Sequence, residues 1–247
     1  MREDVCLIVP VKDEADNLPW LLPALVSQYR TIVVDNDSRD ASAEVARGAG
    51  AELVRCPERG VGRSIVTALS YLRDTGRRQA LPRVVAIVDA DGSFVADDLT
   101  EFLRPILDGE QHIVFSRIMP LSSDSMPLAR RIGQAIGRTL MRLIVGFDPS
   151  PYGTLVAADY DALRSLELED QTWGWLTELR VKATLLGLRT LIVDVPYHRR
   201  QFGRSKITGS LTIAPRAAIR ILWATFYYWL KSRSLLKSLH WSRSTPP

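Results

Sequence analysis

The sequence is poor in cysteine and histidine, and each shortage argues against a class of protein. Its 247 residues include two cysteines, Cys6 and Cys56. Cys6 lies inside an apolar run, which favours a buried thiol and a reducing, cytoplasmic location over a disulfide framework. The three histidines are scattered and lack the spacing of a zinc site. The N-terminus lacks the long apolar stretch of a secretory signal, so we expect no export.

Three well-known site motifs are missing as well. Gly60-Val61-Gly62 is not followed by Gly-Lys-Ser or Gly-Lys-Thr, which excludes a Walker phosphate loop. The Gly-X-Ser-X-Gly elbow of α/β-hydrolases does not occur, and neither does a recognised nucleic-acid reader motif. These gaps argue against P-loop nucleotidases, serine hydrolases of that fold and the common nucleic-acid binders.

Acidic residues are missing from the C-terminal fifth of the chain. Residues 195–247 contain ten basic and no acidic side chains, whereas the rest of the chain carries 22 basic against 28 acidic residues. An acidic body with a basic tail predicts contact with an anionic partner such as a phosphate or lipid headgroups. A tail that is merely solvated is the alternative.

Apolar strands alternate with helices along the chain, and 46% of all residues are hydrophobic. We predict strands near residues 5–10, 31–34, 51–54, 83–88, 113–115, 155–157 and 190–193. We predict helices near residues 17–27, from 40 onward, and over 61–73, 128–145 and 174–186, with one more between the fourth and fifth strands. This order predicts an α/β fold whose mostly parallel sheet is flanked by helices. Ligands of such sheets bind beyond the carboxyl ends of the strands.

The aromatic-rich segment 211–230 has the length of a membrane-spanning helix, which is roughly 20 residues. Arg216 and Arg220 lie inside it and Pro215 lies near its start. These residues favour an amphipathic helix on a membrane surface over a spanning helix. Packing against the rest of the protein is an equal alternative. We therefore divide the chain into a domain at residues 1–210 and a basic, aromatic-rich helical tail at 211–247.

The trio Asp89-Ala90-Asp91 follows directly after the predicted strand at 83–88. Two carboxylates one residue apart on a turn can share one Mg²⁺ or Mn²⁺, ions that prefer oxygen ligands and complete their shell from substrate phosphates and water. Such a metal offsets the charge that builds on a departing diphosphate. Asp89 and Asp91 are therefore predicted to be metal ligands and catalytic residues.

A series of motifs runs in fixed order through residues 5–210. It comprises Ile8-Val9-Pro10 with Glu14 and Asn17, Val33-Val34-Asp35-Asn36-Asp37-Ser38 with Asp40, Gly60-Val61-Gly62, Asp89-Ala90-Asp91-Gly92, Trp173-Gly174-Trp175 with Glu178, and Arg199-Arg200 with Gly203-Arg204-Ser205-Lys206. In this order the motifs resemble family 2 glycosyltransferases of the Rossmann-like GT-A fold, and within them the dolichyl- and polyprenyl-phosphate sugar transferases. The resemblance implies an inverting transfer of a sugar from a UDP- or GDP-sugar to a polyprenyl phosphate.

The resemblance also implies roles for individual residues. It assigns the nucleotide-sugar to Pro10, Lys12, Glu14, Asp35, Asp37, Gly62, Asp89 and Ala90. Within that set, Asp35 and Asp37 would hold the base or ribose. Similar bacterial sequences often carry an arginine where this chain has Gly153, so the anion that such an arginine contacts must be held otherwise here.

The nature of the acceptor decides whether a general base is needed. A lipid phosphate is already largely ionised at neutral pH, because the second pKa of a phosphomonoester is about 6. It then needs only cations, for which the candidates are Arg117, Arg131, Arg200, Arg204 and Lys206. A hydroxyl acceptor must instead lose a proton to a carboxylate, and Glu178 is the candidate for that catalytic base.

These inferences together predict a metal-dependent enzyme that lies peripherally on the inner face of the cytoplasmic membrane. Three alternatives remain open. One is a soluble transferase with a small hydroxyl acceptor, and another is a nucleotidyltransferase, which can share the fold and the paired aspartates. The third is a non-catalytic sensor of nucleotide-sugars.

Overall fold

One seven-stranded sheet organises the protein. The computed structural model describes residues 2–76, 80–118, 139, 142–143, 152–196, 198, 200, 202–203 and 223–231. The strands are β1 (Arg2–Val11), β2 (Tyr29–Asp35), β3 (Glu52–Arg55), β4 (Val84–Ile87), β5 (Ile113–Ile118), β6 (Tyr152–Asp159) and β7 (Thr190–Val195). Their order in the sheet is β3-β2-β1-β4-β6-β5-β7. All neighbours are parallel except β6, which runs antiparallel to both β4 and β5.

Helices cover both faces of this sheet. They are α1 (Leu18–Gln28), α2 (Ser42–Gly48), α3 (Val61–Thr75), α4 (Ala96–Leu107), α5 (Tyr160–Ser165) and α6 (Trp175–Leu185). Strand β1 shows why both faces are needed, since its side chains alternate between two separate cores. Leu7 and its odd-numbered neighbours pack with α1 and α4, whereas Cys6 and Ile8 pack with α3 and α6. A strand buried on both faces is continuously apolar, which is the pattern of its sequence.

The predicted α/β fold with a mostly parallel sheet flanked by helices is confirmed, and the seven strands lie where the sequence predicts them. The antiparallel direction of β6 and the short helix α5 were not predicted. Of the helix predicted at 128–145, the described residues 139 and 142–143 are helical, and the rest lies outside the described residues. Both cysteines are free and buried, as the predicted thiol at Cys6 requires.

Part of the predicted C-terminal tail is a helix at residues 223–231. Ala224 and Tyr228 are buried against Val181 of α6. On its outer side large apolar side chains remain about half exposed, among them Phe226 and Leu230. One face therefore packs on the domain while the other meets solvent. Among the helices that the structure describes, none is both long and apolar enough to cross a membrane.

Candidate active site

The loop after β4 holds the two aspartates that the sequence singles out. β1, β2 and β4 are parallel neighbours, so the loops that follow them meet at one edge of the sheet. Asp89 is partly buried there, and its Oδ2 accepts a hydrogen bond from the Thr154 hydroxyl of β6. Asp91 accepts hydrogen bonds from the backbone N–H and the hydroxyl of Ser93, at 3.0 and 2.6 Å.

Burial is the main reason why the pKa of Asp89 rises to about 6 from its usual value of 3.8. The hydrogen bond from Thr154 lowers this pKa, the negative charges of Asp91 and Glu14 raise it, and Arg200 lowers it. Three carboxylates thus lie close enough to interact at one sheet edge. A divalent cation would relieve their repulsion and favour the ionised form of Asp89.

Arg200 supplies positive charge to this cluster. Its guanidinium group pairs with the nearly buried Glu14 and lies 3.6 Å from Oδ2 of Asp91. Glu14 also accepts a hydrogen bond from the side chain of Asn17 at 2.7 Å. The structure therefore places the predicted acceptor residue Arg200 among carboxylates that are predicted to bind the nucleotide-sugar and the metal. Its contact with an acceptor phosphate stays a prediction.

The described residues of segment 198–203 lie over the same edge of the sheet. The amide of His198 donates to the carbonyl of Ser93 at 3.0 Å, and its ring Nε2 lies 3.0 Å from a carboxylate oxygen of Asp98. Asn17 and the backbone of Phe202 exchange two hydrogen bonds, of 3.3 and 3.1 Å. Sequence reasoning missed Asp98 and His198, because their partners lie about a hundred residues away in the chain.

A cleft of about 260 Å³ opens between the loops after β1, β2 and β3. It is lined by Lys12, Asp13, Asn36, Arg39 and Arg59. Asp37, near the start of the loop after β2, lies 3.5 Å from the Lys12 ammonium and 3.8 Å from the Arg59 guanidinium. The structure thus brings together Lys12 and Asp37, two of the residues predicted at the nucleotide, and adds two arginines that the sequence reasoning did not select.

Side chains tie the first two loops to each other. Asp13 and Asp37 both adopt left-handed backbone conformations, with φ of 49° and 59°. Such values are uncommon outside glycine and cluster at functional sites. A carboxylate oxygen of Asp13 accepts from the amide of Arg39 at 2.7 Å, and Asp35 accepts from the amide of Ser38 at 3.1 Å. The nearly buried Asp35 therefore stabilises the loop after β2 in this structure.

Asn36 connects the β2 loop to the loop between β3 and α3. Its amide nitrogen donates to the carbonyls of Cys56 and Glu58, at 3.1 and 2.6 Å. Its oxygen accepts from the amide of Gly60 at 2.9 Å. One cleft-lining side chain therefore fixes the chain just before α3.

Gly60 and Gly62 allow the loop at residues 167–172 to approach the start of α3. A Cβ at Gly60 would overlap the carbonyl oxygen of Gln171, and a Cβ at Gly62 would overlap that of Asp170. The amide of Gly62 donates to the carbonyl of Thr172 at 3.3 Å. The glycines thus have a packing role, and the predicted nucleotide contact of Gly62 stays a prediction.

Glu178 lies in the first turn of α6 and is fully buried. Its carboxylate accepts from the amides of Glu169 and Asp170, at 2.9 and 2.6 Å, and pairs with Lys182 at 2.7 Å. Glu178 is therefore enclosed by the domain and does not lie on the exposed surface of α6. Its role as a base stays a prediction.

The remaining predicted residues divide into described and undescribed ones. Arg117 of β5 forms an exposed, bidentate ion pair with Asp194 of the sheet-edge strand β7. Pro10 is partly buried and lies opposite Val34 in the sheet. Ala90 is buried between the two aspartates. Arg131, Arg204 and Lys206 lie outside the described residues.

A metal site complete in protein ligands is not present within the described residues, where no group of three or more His, Cys, Asp or Glu side chains could hold an ion. Asp89 and Asp91 could hold a metal together with oxygens from another molecule. That arrangement fits Mg²⁺, which is usually bound by one or two carboxylates together with substrate phosphates.

Comparisons with known proteins support the predicted resemblance to family 2 glycosyltransferases. The family model described as "Glycosyl transferase family 2" matches residues 6–158. An uncharacterized glycosyltransferase of Mycobacterium tuberculosis (strain ATCC 25618 / H37Rv) is 32% identical over 207 residues, which cover 84% of this chain and 91% of the relative. An undecaprenyl-phosphate mannosyltransferase of Micrococcus luteus is 25% identical over 224 residues, covering 84% and 88% of the two chains.

The fold also matches a solved structure. Glucosyl-3-phosphoglycerate synthase from Mycobacterium tuberculosis, crystallised with Mn²⁺, uridine-diphosphate and glucosyl-3-phosphoglycerate, superimposes with a TM-score of 0.71 at 16% identity. The match covers 92% of this chain and 80% of that one. At this identity the likeness shows the fold, which is GT-A. The chain therefore belongs to glycosyl transferase family 2 and is a glycosyltransferase.

Proposed function

We propose that the protein transfers a sugar from a UDP- or GDP-sugar to a polyprenyl phosphate at a membrane surface, with inversion at the sugar carbon. The observation that carries the proposal is the carboxylate pair Asp89 and Asp91 at the same sheet edge as the cleft lined by Lys12 and Arg59. The undecaprenyl-phosphate mannosyltransferase of Micrococcus luteus supports the class of acceptor.

The donor would bind across the ends of β1, β2 and β4. Lys12 and Arg59 bring positive charge to the cleft, and Asp37 lies within ion-pair distance of both side chains. Asp89 and Asp91 would hold Mg²⁺ or Mn²⁺, which would offset the charge on the leaving diphosphate. Asp37 would hold the base or ribose of the nucleotide.

The acceptor side needs cations more than a base. A lipid phosphate is ionised at neutral pH and can attack without losing a proton. This agrees with Glu178, whose oxygens are occupied by two amides and an ammonium group. Arg200 lies beside Asp91, where its guanidinium group could also contact an incoming phosphate, and we propose Arg204 and Lys206 as further contacts of that phosphate.

The helix at 223–231 supports contact with a membrane surface. Trp223, Phe226, Tyr227 and Leu230 are between 38% and 52% exposed, while Ala224 and Tyr228 face the domain. Aromatic side chains beside basic residues are typical of helices that lie in the headgroup region. The tail at 211–247 would thus bring the cleft to its lipid substrate.

To test this proposal, the purified protein is incubated with Mn²⁺, a radiolabelled UDP- or GDP-sugar and vesicles that contain undecaprenyl phosphate. We expect label in the lipid fraction and release of free UDP or GDP. Polar acceptors, including 3-phosphoglycerate, form the comparison arm. If label appeared only in a polar product, the acceptor would be a polar molecule and not a lipid phosphate. Release of pyrophosphate would identify the protein as a nucleotidyltransferase.

A further inference from the structure

We infer that Glu178 is a positioning residue that holds the nucleotide side of the cleft in place through the 167–172 loop. The inference rests on the proposed function, because it assigns Glu178 to donor binding. It gives this residue a task other than taking a proton from the acceptor.

Glu178 binds the 167–172 loop through its carboxylate group. The carboxylate has no exposed surface and accepts from the amides of Glu169 and Asp170. The ammonium group of Lys182 pairs with it at 2.7 Å and also donates to the carbonyl of Glu167 at 2.7 Å. A buried charge is tolerated where it is paired and hydrogen-bonded, as here. Two side chains of α6 therefore fix both ends of a four-residue stretch of backbone.

The second step leads from the loop to α3. The carbonyls of Thr172 and Gln171 accept from the amides of Gly62 and Arg63, at 3.3 and 3.1 Å. These are amides of the first turn of α3, which have no partner within the helix. The start of α3 has no side-chain cap, so the loop supplies the acceptors instead. A Cβ at Gly62 would overlap the loop, so the close contact between the loop and α3 depends on glycine at this position.

The third step leads from α3 to the cleft. The amide of Gly60, just before α3, donates to Asn36, whose side chain also binds the carbonyls of Cys56 and Glu58. Asn36 and Arg59 line the cleft. The contacts from Glu178 to these two residues are thus continuous. A shift of the 167–172 loop would move the wall that receives the nucleotide.

This geometry distinguishes positioning from proton transfer. A base must direct a lone pair at the reacting hydroxyl, but the oxygens of Glu178 are directed at backbone amides and at Lys182. A positioning residue changes how well the donor binds and leaves the chemical step of the bound complex nearly unchanged.

The test is Glu178→Gln, which keeps the shape but removes one acceptor and the charge opposite Lys182. Calorimetry with Mn²⁺ and UDP or GDP should show the Kd of the nucleotide raised about tenfold, as expected when one such link is lost. In the transfer assay the KM for the donor should rise in parallel, while kcat changes less than about twofold. A kcat that collapses while nucleotide binding is unchanged would identify Glu178 as the base and overturn the inference.

Two further variants separate positioning from a general loss of stability. Leu103→Ala opens a cavity in α4, in the core on the other face of the sheet, and should lower the melting temperature without changing the nucleotide Kd. Gly62→Ala pushes on the loop from the opposite side and should reproduce the rise in Kd. It also tests the inference if Glu178→Gln does not fold.

The double variant Glu178→Gln, Gly62→Ala gives the sharpest readout. Because both changes act on one contact, their effects on Kd should combine to less than the product of the single effects. Full multiplication would mean that the two residues act independently and would overturn the inference. If the wild-type protein bound neither UDP nor GDP, the proposed function would fall as well; if it bound one and the variants bound it equally, only this inference would fall.

Discussion

Two parts of the candidate site are built in different ways: the loops after β1, β2 and β4, which we call the donor side, and the described residues of segment 198–203, which we call the C-terminal side. On the donor side, the loops after β1 and β2 bind each other within about 25 residues of chain, as in the bonds from Asp13 to Arg39 and Ser38. On the other side, Arg200 reaches back 186 residues to Glu14, and Phe202 reaches back 185 residues to Asn17. The donor side follows from strand order, whereas the C-terminal side depends on tertiary packing.

The largest effect should come from Asp91→Asn, on the donor side. In the proposed site this variant removes one of the two carboxylate ligands of a divalent ion that would lie at the leaving diphosphate. We expect kcat/KM to fall on the order of a thousandfold, as for the loss of a major group that stabilises charge in a transition state. Sugar transfer measured at saturating Mn²⁺ tests this.

Asp97→Asn is the matched control for that variant. Asp97 is an exposed aspartate in the first turn of α4, six residues from Asp91. Its replacement should leave kcat/KM within about twofold, because exposed charges contribute little. Retention of more than a tenth of the activity by Asp91→Asn would contradict the assignment of the metal pair.

The next effect concerns pH and stability through Asp89. Folding raises the pKa of this carboxyl from 3.8 to about 6, chiefly because it is buried. The folded state therefore favours its neutral form, and stability falls as pH rises from about 4 to about 6. In metal-free buffer this costs at most about 3 kcal/mol above pH 6.

Comparison with Asp89→Asn isolates this contribution from the other carboxylates. The variant carries no charge at either pH, so its free energy of unfolding should gain on the wild type as pH rises through that window. Urea unfolding in EDTA at pH 4.5 and pH 7.5 measures the difference. Mn²⁺ should reverse it at pH 7.5, since a metal at the proposed site would bind the ionised carboxylate. A constant difference between the two proteins at all pH values would refute a raised pKa.

A smaller effect should follow from Arg200→Ala, which changes the C-terminal side. Its guanidinium group lies 3.6 Å from Asp91 and neutralises part of the charge that attracts a cation. At pH 8 and without nucleotide, we expect Mn²⁺ to bind on the order of threefold more tightly, the scale of a partly exposed ion pair. Arg104→Ala, at an exposed position of α4, is the control and should leave Mn²⁺ affinity unchanged. Weaker Mn²⁺ binding by Arg200→Ala would show that the two sides cooperate rather than compete.

The same contrast explains what the sequence could predict. The donor side could be located because parallel strands deliver their loops to one edge, so the positions of Asp35 and Asp89 follow from the strand order. The partnership of Arg200 with Glu14 could not be predicted, because it depends on a tertiary contact between residues 186 positions apart in the chain. The burial of Glu178 was also missed, since the sequence around α6 does not show that the 167–172 loop covers its first turn.

The smallest effect should come from Lys231→Ala, which loosens the C-terminal helix from the 167–172 loop. Lys231 pairs with the side chain of Glu169 at 2.5 Å, and both side chains are at least one third exposed. Exposed pairs contribute about 0.2–1 kcal/mol and weaken in salt. Urea unfolding at low and high salt should show a loss within that range that shrinks as salt is added, and a double-mutant cycle with Glu169→Ala should assign it to the pair.

Nucleotide affinity is the informative second measurement on Lys231→Ala. Glu178 holds the loop by accepting a hydrogen bond from the backbone amide of Glu169. Lys231 contacts the side chain of Glu169 and not this amide. The Kd for UDP or GDP should therefore match that of the wild type. A rise in Kd would mean that the C-terminal helix itself acts on the donor side, so that contact of this helix with a membrane would change donor binding.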